Sequence, residues 1–199
     1  MNKLLKGAIA TAVGAGLLMG GAGTFAYWND SVGVTGGSIV AGNLAVADAA
    51  PTDGVWTVQK DGTGTAATVP NIAAFVASPG DKFTYTKTVK ITATGNNLVA
   101  TLALSPGSIA AVTPATAANT ALANYLTSTS TIAATGTGIS AGTVAGTYNV
   151  TSGAAGVSAR DVTITVVVNF PKSTTAGFEN ATKLGSVNLS GLAVTLNQQ

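Results

Sequence analysis

The chain has 199 residues, with 25 Gly, no Cys, no His and only 8% charged residues. The missing Cys and His exclude disulfides, thiolate chemistry, imidazole metal ligands and any catalytic triad built on His. Two of the nine basic residues, Lys3 and Lys6, lie at the extreme N-terminus, and the remaining seven balance seven acidic ones, so no basic footprint for nucleic acid is present.

Residues 1–26 read as a secretory signal peptide. Lys3 and Lys6 form a positive n-region, the following run is apolar and uncharged, and it closes on Thr24-Phe25-Ala26. Ala before the cut and a small residue two positions earlier are what a signal peptidase accepts, which places cleavage between Ala26 and Tyr27. A retained membrane anchor is the competing reading, since roughly 20 apolar residues span a bilayer. The glycines scattered through the run weaken a permanent span.

Residues 27–46 start with "YWNDS" and continue "VGVTGGSIVAGNL". Val32, Val34, Ile39, Val40 and Leu44 make the segment apolar enough to pair as a strand, yet its glycines leave register poorly fixed. It is a candidate donor strand for a second subunit. The alternative is an edge strand folded back on its own domain. Tyr27 and Trp28 read either as interface anchors or as part of the peptidase recognition element.

Residues 47–199 read as one β-domain. Ala47 to Asn71 is polar and turn-rich, with a strand at Val55-Trp56-Thr57-Val58 that ends in Lys60-Asp61-Gly62. After Ser78-Pro79-Gly80-Asp81, Phe83, Tyr85, Val89, Ile91 and Ala93 alternate with threonines, broken only by Lys87. Gly95-Asn96-Asn97 and the alternating Leu98, Ala100, Leu102 and Leu104 then predict a hairpin.

Residues 114–126 are the one helical candidate, with Ala117, Ala121, Leu122 and Tyr125 on its inner face. Residues 127–160 are a Thr/Ser/Gly/Ala tract with strand-like pieces such as "GTYNVT". In "DVTITVVVNF", Val162, Ile164, Val166, Val168 and Phe170 share one face of a core strand. At the C-terminus Val187 and Leu189 alternate in one phase and Leu192, Val194 and Leu196 in the other. A glycine bulge at Ser190-Gly191 would bring both sets to the core. The expected fold is all-β: a jelly-roll-like sandwich of two packed sheets, eight to ten strands, with one short helix.

Four stretches together, "GAGTFAYWNDS", "TGGSIVAGNL", "SPGDKFTYTKTVKITATGNNL" and "NLSGLAVTL", resemble the TasA/camelysin family, in its actinobacterial branch with a SipW-type signal peptide. The resemblance covers the leader, the first mature strand, the predicted hairpin and the last strand, and adds little over 105–160. It implies cleavage before Tyr27 by a SipW-type signal peptidase, a jelly-roll fold, and export to the cell surface or biofilm matrix. It also implies polymerisation into fibres in which the N-terminal strand of one subunit completes the sheet of the next, with accessory or anchoring proteins as further partners. The mature form would need no membrane and no cofactor.

Leader removal would free that strand, so proteolysis acts as the switch for assembly, and strand addition is a heterologous contact that builds filaments. Camelysin-type proteins have been classed as metallopeptidases. A zinc peptidase needs His ligands and a carboxylate base, whereas this chain has no His and a single Glu, Glu179. The expectation is therefore a non-enzymatic structural protein with no catalytic and no metal-ligating residues. Asp48 with Asp53, or Asp53 with Asp61, offers oxygens for Ca²⁺, but neither pair has EF-hand spacing, and turn-forming aspartates account for them. The alternative function is a monomeric secreted domain that binds carbohydrate or another surface partner, with Trp56, Tyr85, Tyr125 and Tyr148 as stacking candidates.

Overall fold

The computed structural model describes residues 2–21, 33, 36–50, 54–152 and 157–199. Ala26, Tyr27, Trp28, Val32, Val34 and Asp53 lie outside the described residues. Two compact units are present, Met1–Ile39 and Val40–Gln199. In the first, α1 (Lys3–Gly21) is a helix of 19 residues. Among the described residues no helix is long and apolar enough to cross a membrane.

The second unit is a β-sandwich. Its first sheet contains β1 (Asn43–Asp48), β2 (Val55–Gln59), β3 (Ala67–Thr68), β4 (Lys82–Thr94), β7 (Thr131–Thr135) and β10 (Val157–Asn169), in the order β3-β2-β4-β10-β7 with β1 also on β4. The second has the order β12-β5-β9-β8, from β5 (Val99–Leu104), β8 (Ile139–Ala141), β9 (Thr147–Thr151) and β12 (Val194–Gln198). A short pair, β6 (Ala110–Ala111) with β11 (Val187–Asn188), and α2 (Ala117–Thr129) complete it. The described residues thus hold twelve strands, several of them only two residues long, against the eight to ten expected.

Period-2 alternation places the core. On β4, Phe83, Val89, Ile91 and Ala93 are buried, and on β10, Val162, Ile164, Val166 and Val168, as the alternation predicts. These two strands pair from Lys82 opposite Asn169 onward, forming the longest ladder of the fold. Across the core stand Ala100, Leu102 and Val150 of β5 and β9, each 0% exposed. Burying one such Val or Leu contributes about 1.5–3 kcal/mol, so the two facing sheets hold each other without disulfides.

The hairpin expected at Gly95-Asn96-Asn97 does not form. Strand β4 has β10 on one side and β2 and β1 end to end on the other, which leaves no edge for β5. Gly95, at φ 138, instead carries the chain into the second sheet, where β5 pairs with β9 and β12. The apolar phases of β4 and β5 then face each other across the core.

The C-terminal strands also part where a bulge is expected. Leu189 and Leu192 bound a turn closed by Leu192 N–H donating to Leu189 C=O at 3.0 Å, and β11 and β12 belong to different sheets. All five apolar residues pack on the core, but through a change of sheet and not a bulge within one strand.

The helix begins three residues later than 114. Thr116 caps it, its hydroxyl accepting from Asn119 N–H at 3.1 Å. Its buried residues are Asn119, Leu122, Ala123 and Leu126; of the four expected inward, Leu122 is in the core, Tyr125 packs against it, Ala121 is half-buried and Ala117 is exposed. Asn119 joins the inner face: its amide donates to Val112 C=O and Pro114 C=O and accepts from Ser186 N–H at 2.9 Å. Three backbone groups thereby fix a polar residue inward.

Candidate assembly surfaces

The sandwich starts earlier than residue 47, because Asn43–Asp48 pairs antiparallel with β4, from Asn43 opposite Thr94 to Asp48 opposite Val89. Leu44, opposite Ala93, packs against the core, while the other side chains of β1 are exposed. Leu44 is therefore held by the chain's own sheet. Directly ahead of it, Ile39 is 100% and Val40 87% exposed. Of the five residues singled out in the N-terminal strand, these two are apolar side chains without cover, Leu44 is engaged, and Val32 and Val34 lie outside the described residues.

Gly42 sets the entry into β1. A Cβ there would run into the Thr94 carbonyl. Only glycine lets the chain pass this close and still offer Asn43 N–H to the Thr94 hydroxyl at 2.7 Å. The other end of β1 is tied by Asp48, whose carboxylate meets Lys87. Among the described residues no group of three or more His, Cys, Asp or Glu is placed to share a metal ion.

The four candidate stacking aromatics do not share a surface. Trp56 and Tyr85 are directly opposed on β2 and β4, ring centroids 5.0 Å apart, and both pack against the core. Tyr148 donates its hydroxyl to Ile132 C=O at 3.2 Å. Tyr125 donates to Pro171 C=O at 3.0 Å and stands between Phe170 and Phe178. Loss of solvent, with the Glu179 carboxylate as a smaller cause, holds the Tyr125 hydroxyl above its ordinary pKa of 10.0. Glu179 itself accepts from Ser173 N–H, a loop-fastening role.

A second apolar surface escapes sequence reading. A groove of about 790 Å³ has buried Phe83, Leu122, Leu126, Val168 and Phe170 in its floor. Its rim carries Val76, 89% exposed, and Leu184, 100% exposed. Leu184 adopts φ 61, a left-handed conformation rare for leucine. The backbone groups of Val76, Ala77 and Leu184 make no hydrogen bond among the described residues. In sequence Val76 sits in the short apolar run 72–77 and Leu184 in a polar loop, and only the fold brings them to one groove.

A smaller cleft of about 370 Å³ lies beside β1, lined by Val46, Tyr85, Lys87, Leu104 and Val194 among others. Comparison with known protein families, curated proteins and solved structures finds nothing that matches the chain.

Proposed function

We propose that this protein is a non-enzymatic structural subunit of extracellular filaments, exported by its leader, cut before Tyr27 by a SipW-type signal peptidase, and assembled head to tail through its N-terminal segment. The observation that carries the reading is the exposed apolar pair Ile39 and Val40, 100% and 87% in solvent, placed just ahead of the edge strand β1. Apolar side chains in a glycine-flanked segment suit strand addition, where main-chain hydrogen bonds supply affinity and alternate side chains supply selectivity. The resemblance of the leader junction and strand motifs to the TasA/camelysin family supports the same reading and a surface or biofilm-matrix location. A chain with only 8% charged residues lowers the repulsion that keeps subunits apart.

Negative-stain electron microscopy of the chain beginning at Tyr27, beside one beginning at Asn43 that keeps β1, tests the reading. Filaments from the first and none from the second are expected. Dispersed particles from both overturn it and favour a monomeric domain that binds carbohydrate or another surface partner.

A further inference from the structure

We propose that the groove floored by Phe83 and Phe170 and rimmed by Val76 and Leu184 is the acceptor for Ile39 and Val40 of a second copy of this chain. The inference rests on the filament reading and assigns its receiving surface.

Chain length makes the contact intermolecular. Asn43 is pinned opposite Thr94, at the far end of β4. The groove stands at the other end, against Phe83 of β4 and Val168 of β10, which pair with each other. At about 3.3 Å per residue, Phe83 and Thr94 are roughly 36 Å apart along the strand. The chain from Asn43 back to Ile39 reaches no more than about 14 Å when fully extended. Ile39 and Val40 therefore cannot enter the groove of their own sandwich.

The chemistry of the two surfaces matches. No charged residue occurs from 31 to 47, so the entering segment brings no ion into an apolar floor. The rim offers unpaired N–H and C=O groups at Val76 and Ala77 to an extended backbone. Phe75 already has extended dihedrals, φ −83 and ψ 128. A leucine held at φ 61 with its side chain wholly in solvent is a local cost that burial under a partner would offset. With donor and acceptor at opposite poles of β4, each added copy presents a fresh groove, and the contact does not close into a ring.

The absence of Cys makes a pairwise cross-linking test clean. In chains beginning at Tyr27, Ile39→Cys is mixed with Val76→Cys, with Leu184→Cys, or with Val144→Cys as a control at an exposed site outside the groove, using chains of distinguishable mass under mild oxidation. The compact unit starts at Val40, so loss of the leader leaves the sandwich whole. The expected result is a shift to mixed covalent dimer with Val76→Cys or Leu184→Cys and none with Val144→Cys. Failure at both groove positions, or equal cross-linking at Val144→Cys, overturns the proposal. Microscopy of the unsubstituted chain separates the two readings: filaments without the groove cross-link leave the filament reading standing and remove this acceptor, whereas dispersed particles without it remove both.

Discussion

Asp48 and Lys87 fasten β1 to the sandwich, Oδ1 standing 2.9 Å from Nζ across the seam between the first strand and β4. Lys87 occupies the inward phase of β4 and falls between two ladders, since β2 pairs as far as Thr86 and β1 begins at Val89. Its side chain is 19% exposed, that of Asp48 55%. Asp48→Asn leaves the more enclosed charge with a weaker partner and should cost about 1 kcal/mol, a modest figure because the carboxylate is solvated. Lys87→Met in the same background should recover most of it, read as the urea midpoint of each variant.

Gly42→Ala should loosen β1 selectively. The added methyl meets the Thr94 carbonyl, so the chain must swing away from the end of β4 where Asn43 is bonded. Hydrogen exchange should show lost protection at 43–48, with protection in β10 unchanged and the melting temperature lowered by only a few degrees.

Tyr125 should make the fold sensitive to alkali. Its pKa is raised in the folded state, first by desolvation and then by Glu179, so stability is complete below the unfolded value of 10.0 and falls as pH climbs through the folded one. Ionisation also removes the O–H that donates to Pro171 C=O. Tyr125→Phe should lose about 1 kcal/mol near neutrality and show a shallower decline above pH 10.0, followed by urea denaturation over a pH series.

Asn119→Leu should be among the costlier substitutions on α2. The amide serves Val112 C=O, Pro114 C=O and Ser186 N–H, and an apolar side chain leaves these enclosed groups unpaired. A loss of about 2–4 kcal/mol is expected from the denaturant midpoint. Asn119→Asp should fare no better, since a carboxylate accepts from Ser186 but cannot donate to the two carbonyls.

Alternation made β4, β5 and β10 legible, since a strand with one buried face must repeat every second residue, and the buried residues there are those the period selects. Pairing was another matter. The chain around Gly95-Asn96-Asn97 carries the composition of a tight hairpin, yet partner choice is decided by which edges remain vacant, and β10, more than sixty residues downstream, takes the edge a hairpin would use. On α2 the expected face finds Leu122 and Tyr125 but omits Asn119, which counts as polar by type but is inward by hydrogen bonding. In the N-terminal segment the apolar residues were visible, but Leu44 and Ile39 look alike in sequence. Six register pairs with β4 engage the stretch containing the first and leave the second in solvent. The groove is legible only as the short apolar run 72–77, since its rim comes from two loops about a hundred residues apart.

The antiparallel seating of β1 on β4 bears on mechanical load. In the proposed filament, joined at Ile39 and at the Phe83 pole, tension would enter each sandwich at Asn43 and leave at the far end of β4, along the strand axis. The backbone bonds of β1 are then strained together in shear, not peeled one after another. In such a filament a strand that buries little beyond Leu44 would thereby resist most strongly along the direction of pull.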